Sequence, residues 1–255
     1  MQQQPPLGDL GWQGKYKHDS PEVVALREQL RAEAGIKGLE LVDPSEPNFA
    51  QRAAALFHRD GFVLVKDALD EERQRTIKRG CDKVIRELLA RDPQRIGNRG
   101  SHRYSFGSSP AFFGCAAEWS VLIDPPVVLE VVEAIFQSPL FRCSGYGGDF
   151  VIPGCTEYQH LHRDMADYLN DPSGRLDFRD MPCARIAVNY PTAVVPESGG
   201  AAHTVYNGAT RQIPGTQMSK QPIPSLDEEP KWMKLSTTAP APAGCAMLRD
   251  VRAWQ

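Results

Sequence analysis

The sequence predicts an α+β domain, with helices packed outside a β-sandwich or barrel. Three observations carry this. Apolar residues recur at three- and four-residue spacing through the first half, whereas short extended runs separated by Gly, Pro and Ser clusters follow Pro139. A hydrophobic fraction of 41% and a charged fraction of 24% over 255 residues are ordinary for a chain that buries one substantial core.

Residues 1–44 read as an N-terminal arm and helix, and 45–255 as the main domain. Met1 to about Asp19 is polar and Pro/Gly-rich. Ser20 caps a helix with Pro21 at its first position, Val23, Leu26 and Leu30 on one face and Gly35 as the stop. Ser45 is the expected cap of a second helix carrying Phe49, Ala53, Leu56 and Phe57, which Asp60-Gly61 ends. Phe62-Val63-Leu64-Val65 reads as a short buried strand. Asp70 caps a long helix with Ile77, Cys81, Val84, Ile85 and Leu88 inward, and Asp124-Pro125 opens another with Val128, Val131, Val132 and Ile135 inward. Strands are expected at 140–146, 149–152, 159–164, 184–190, 209–213 and 246–251, with a loop over 193–200.

Several function classes lose support at this stage. A net charge of −3 gives no electrostatic reason for nucleic acid or an anionic membrane as partner. The six cysteines contain no Cys-x-x-Cys pair and read as reduced, mostly buried residues rather than a zinc site. No secretory signal or bilayer-long apolar run is visible, so a cytoplasmic protein is the expectation. His162-Arg163-Asp164 spells a kinase tripeptide. However, Asp149-Phe150 precedes it instead of following, Val151 replaces the glycine, and Leu169 holds the asparagine position.

The chemistry-bearing motif is Gln159-His160-Leu161-His162-Arg163-Asp164. On a strand, His162 and Asp164 share a face while Arg163 points away. An imidazole and a carboxylate so placed are two members of the two-His-one-carboxylate set that holds non-haem Fe(II) with open positions. A strand histidine hydrogen-bonded to a nearby carboxylate reads equally well from this motif alone. His160, two residues from His162, reads as a pocket-lining or core histidine. Gln159 is out of phase with His162 and is not read as a ligand.

From about Phe49 onward the chain resembles the phytanoyl-CoA dioxygenase family of Fe(II)/2-oxoglutarate oxygenases. Phe57-His58-Arg59-Asp60-Gly61-Phe62-Val63-Leu64-Val65 with Asp70-Glu71-Glu72 is similar to the family's opening helix, strand and helix. Gln159 to Asp164 resembles its iron motif, Asn207-Gly208 to Thr216 its turn, and Gly244 to Trp254 the strand before its distal histidine. The resemblance implies a double-stranded β-helix (a jelly-roll, cupin-like core). It also implies Fe(II), 2-oxoglutarate and O₂ as cofactor and co-substrates, with His162 and Asp164 as catalytic metal ligands. The reaction would hydroxylate an unactivated C–H bond of a small-molecule or acyl substrate, and Asp164 argues against halogenation. The family's substrate lid falls on Asn98 to Phe106, which makes Arg103 and Tyr104 candidate substrate contacts, together with Gln159 and Arg211. Arg211 reads equally as facing solvent, and Asp250–Arg252 equally as a structural ion pair. The family places its distal histidine where this chain has Gln255, and a 2-oxoglutarate-binding arginine beyond it. The resemblance therefore implies a C-terminally incomplete barrel. The competing expectation is a catalytically silent binding protein of the same fold.

Overall fold

The computed structural model describes residues 40–100, 102–109, 112, 116–153, 159–166, 171–192, 211–233, 235–238 and 241–255. The expected helix after Ser20, the loop over 193–200 and the Asn207-Gly208 turn lie outside these residues. Among the described residues no helix is long and apolar enough to cross a membrane.

The chain enters through β1 (Leu41–Val42), then α1 (Phe49–Asp60) and β2 (Phe62–Val65). Helix α1 forms because Ala50, Ala53, Ala54 and Phe57 recur at helical spacing, and all four are buried. Its N-cap is Asn48, in the left-handed region, rather than Ser45. The Ser45 hydroxyl donates instead to Asp43 Oδ1 at 2.8 Å, inside the preceding turn. Gly61 ends the helix as expected. Its φ is 87°, its N–H donates to the Phe57 carbonyl at 2.8 Å, and a Cβ there would lie 2.6 Å from Gln217 Oε1. Leu41 and Val42, read as part of the N-terminal arm, pair parallel with Leu64 and Val65, so the domain begins earlier than residue 45.

Asp70 caps α2 (Glu71–Arg91) by accepting from the Arg73 N–H at 2.8 Å, with Glu71 and Glu72 placed favourably in the first turn. Ile77, Cys81, Val84 and Leu88 form its buried face. The short α3 (Ala117–Ser120) supplies Trp119, and α4 (Pro126–Phe136) buries Val128, Val131, Val132 and Ile135.

The described strands form three sheets. The largest has the order β1-β2-β8-β5, with β5 at Ile186–Asn189 and β8 at Ala246–Asp250. β8 runs antiparallel to both neighbours, pairing Phe62 with Arg249 on one side and Asn189 with Met247 on the other. The pleat sends Val63, Val65, Ala246 and Leu248 into one core with α1 and α4, while Leu64 and Met247 cluster with Ala241 and Cys245 on the opposite face. β3 (Arg103–Ser105) pairs with β4 (Asp149–Val151), and β6 (Arg211–Gln212) with β7 (Thr237–Thr238). A second core joins α2 and Trp119 to Tyr104, Phe106, Phe150 and Ile152.

The architecture is thus α+β with helices packed on sheet, and no closed barrel appears among the described residues. Two expected strands are absent. Residues 140–146 carry no ladder, and Leu140 is 91% exposed, so nothing pays for ordering them into a sheet. The segment 159–164 is also irregular. The Leu161 N–H, which a ladder would spend on a neighbouring strand, donates instead to the buried Glu229 carboxylate at 3.1 Å.

Candidate functional site

Although not a strand, residues 159–166 are held against the chain just beyond β8. His162 and Gln255 exchange both backbone hydrogen bonds at 2.9 Å, as a single antiparallel pair would. The Asp164 and Met165 N–H groups both donate to the Val251 carbonyl, at 3.0 and 3.2 Å. Leu161 anchors the segment from below by packing with Ile213 and Trp254. The expected common face of His162 and Asp164 is therefore reached through individual backbone links.

The pair itself is close: His162 Nε2 lies 3.3 Å from Asp164 Oδ1. His162 Nδ1 faces the His160 carbonyl at 2.8 Å, so Nδ1 carries a hydrogen and Nε2 is the nitrogen left to work. Arg103 Nη2 donates to Gln159 Oε1 at 2.7 Å, which turns the Gln159 amide so that its Nε2 faces His162 Nε2 at 2.9 Å. His162 Nε2 thus faces the Gln159 amide on one side and the Asp164 carboxylate on the other.

Asp164 is itself paired on its outer side, where Arg249 Nη2 donates to Oδ2 at 2.6 Å. The His162 ring, together with the Arg249 guanidinium, holds this carboxyl well below the usual carboxylate range against the opposing effect of partial burial. Arg249 is fixed in turn by Asn189, whose Oδ1 accepts from Nε at 3.0 Å. Register explains the contact: Asn189 lies opposite Met247, two residues from Arg249 and on the same face of the sheet.

Two donors bound to one small cation at right angles, each about 2.1 Å from it, stand about 3 Å apart. The His162–Asp164 spacing fits that requirement for two positions. Among the described residues no group of three His, Cys, Asp or Glu side chains converges, so a third such ligand is not supplied there. Beyond the Gln159 amide, the Gln255 amide also reaches the pair: its Nε2 is 3.5 Å from His162 Nε2 and its Oε1 accepts from Gln212.

The remaining sequence-derived candidates divide. Arg103 and Gln159 join the site as described. Tyr104 does not. It is 2% exposed, stacks on Phe150 with ring centroids 4.7 Å apart, and its hydroxyl donates to Asp92 Oδ2 at 2.8 Å. The alternation of β3 that turns Arg103 toward Gln159 turns Tyr104 into the second core. Arg211 is buried, neither solvent-facing nor at the pair, with Nε donating to Ser236 Oγ at 2.7 Å. His160, expected to line a pocket or core, is exposed, with Nδ1 3.7 Å from Glu229 Oε2. Asp250 and Arg252 form a buried ion pair, closest at 2.6 Å, and Arg252 also donates to the Phe178 and Met181 carbonyls. That pair is structural.

Sequence reasoning missed Arg249, Asn189 and Glu229. A charged residue two positions from Met247 on an otherwise buried strand was the available signal for Arg249.

The α+β fold thus brings an imidazole and a carboxylate together against the chain that follows its central strand β8. The family model for phytanoyl-CoA dioxygenase (PhyH) matches residues 57–248, and the chain belongs to that family, whose members are typically dioxygenases. No curated protein matches the chain significantly.

Proposed function

We propose that the chain is a non-haem Fe(II)/2-oxoglutarate-dependent dioxygenase that hydroxylates an unactivated C–H bond of a small-molecule or acyl substrate, on a double-stranded β-helix framework. The observation that carries this reading is the 3.3 Å convergence of His162 Nε2 and Asp164 Oδ1, within a family of dioxygenases. Fe(II), when bound, would supply activation of O₂ coupled to oxidative decarboxylation of 2-oxoglutarate. His162 and Asp164 would hold it, His162 through the nitrogen that the His160 carbonyl leaves free. Arg103 and Gln159, bonded to each other and through Gln159 to His162, are the proposed substrate-facing groups. Their mutual hydrogen bond orients the Gln159 amide before anything binds. The protein acts as a soluble cytoplasmic enzyme in this reading.

The test is anaerobic titration with Fe(II) and 2-oxoglutarate, followed by the weak visible charge-transfer band and by succinate formation in air. The band is expected in the parent protein and lost in His162→Ala and Asp164→Ala. A parent protein that shows neither band nor succinate overturns the proposal.

A further inference from the structure

Arg249 is an expensive residue to keep on β8. Its side chain is 10% exposed, and Nη1 is buried without an acceptor among the described residues. An orphaned buried donor on a cation costs free energy, and the ion pair that offsets it has a partner, Asp164, that is 35% exposed and partly served by water. An ion pair with one partner so exposed contributes little to stability. Fold stability therefore does not account for Arg249.

Geometry does. A carboxylate with both oxygens free swings about its last torsion and offers either oxygen, or both, to a cation. Here Arg249 Nη2 holds Oδ2 at 2.6 Å while Oδ1 is the oxygen 3.3 Å from His162 Nε2. The guanidinium cannot follow a swinging carboxylate, because Asn189 on β5 fixes Nε at 3.0 Å and the β5–β8 ladder fixes Asn189. We propose that Arg249 is a positioning residue that makes Asp164 a one-oxygen metal donor, with Oδ1 presented toward His162 and Oδ2 withheld. Asn189 is the brace that keeps the guanidinium in plane. This rests on the metal-binding reading of the His162–Asp164 pair. It assigns Arg249 a role through Asp164, without contact to the metal or substrate.

The experiment is titration of the full chain with Mn(II) alone, read as loss of the free-ion electron paramagnetic resonance signal, alongside urea unfolding of each metal-free variant. His162→Ala identifies the site-specific binding. Arg249→Met is expected to weaken that binding about ten-fold or more, while its unfolding midpoint moves little. Arg249→Lys keeps the charge but offers no planar fork for Asn189 and Asp164 together, so it is expected to stay weakened. Asn189→Ala leaves the Asp164 contact and removes only the brace, and is expected to weaken binding by a smaller factor, about three-fold. This milder variant decides the matter if Arg249→Met does not fold.

Binding in Arg249→Met and Arg249→Lys within about two-fold of the parent overturns the inference, as does unchanged binding in Asn189→Ala. A midpoint that falls in step with the lost affinity assigns Arg249 to the fold and also overturns it. These outcomes leave the metal site standing. A parent protein with no His162-dependent Mn(II) binding overturns both the site and the inference.

Discussion

The helix-backed half of the central sheet and the segment that carries His162 and Asp164 are built by different means. In the first, Phe57, Val63, Val65, Val131 and Leu248 interlock in one apolar cluster, and each contact is redundant with its neighbours. In the second, residues 159–166 are held mainly by separate links, among them the His162–Gln255 pair, two bonds to the Val251 carbonyl, the Leu161 N–H on Glu229 and the Asp164–Arg249 pair, with Leu161 alone packed into an apolar cluster. Redundant packing makes the first region costly to injure at any point. Single links make the second easy to alter without unfolding the protein, which suits a segment whose side chains must meet a ligand.

Mutations can break that contrast. Phe57→Ala removes a fully buried ring between α1 and the sheet, and is expected to cost about 3–5 kcal/mol in urea unfolding. Glu229→Ala cuts the Leu161 link and should cost less, about 1–3 kcal/mol. Its effect should concentrate in faster amide hydrogen exchange over residues 161–165, with α1 and β2 unchanged. Equal acceleration in both regions would show that the two are one cooperative unit. His162→Ala removes a half-buried ring and is expected to move stability by no more than about 0.5 kcal/mol while removing metal binding.

The smallest effects concern protons and thiols. Burial, with the Asp92 hydrogen bond, pushes the Tyr104 hydroxyl up to about 12. The folded protein keeps that proton between pH of about 10 and 12, where the unfolded chain loses it, so this residue makes stability fall as pH rises through the window. Tyr104→Phe should flatten the slope of urea stability against pH there, and an unchanged slope would place the titration elsewhere. Burial likewise pushes the Cys81 thiol to about 11 and Cys183 to about 12, whereas Cys143 is exposed. Peptide mapping after brief alkylation at pH 8 should find Cys143 modified and Cys81 and Cys183 intact until denaturant is added.

What the sequence made legible follows the same division. Periodicity located α1, α2 and α4 and named their inward residues, because each buries a regular stripe, and β2 was readable as an unbroken apolar run that is buried throughout. It failed where structure depends on a partner far along the chain. Leu41–Val42 is a strand only because β2 lies beside it, and 159–164 is not one because Glu229 captures the Leu161 N–H. Tyr104 and Arg211 looked like site residues by type, and only the facing of β3 and the burial of β6 show otherwise. The His162–Asp164 spacing was readable. Arg249 as the partner of Asp164 was not, since it requires the β5–β8 register and the course of the chain past Val251.

The position of β8 has a consequence for how the protein comes to be folded. Its pairing of Phe62 with Arg249 joins elements from opposite ends of the described chain. During synthesis β2 leaves the ribosome long before its antiparallel neighbour exists, and an apolar edge waits open until the chain has been extended as far as β8. Topology of this kind slows folding and lengthens the time in which a nascent chain is exposed to wrong partners. A cell that makes this protein has reason to keep that edge under chaperone cover until β8 arrives.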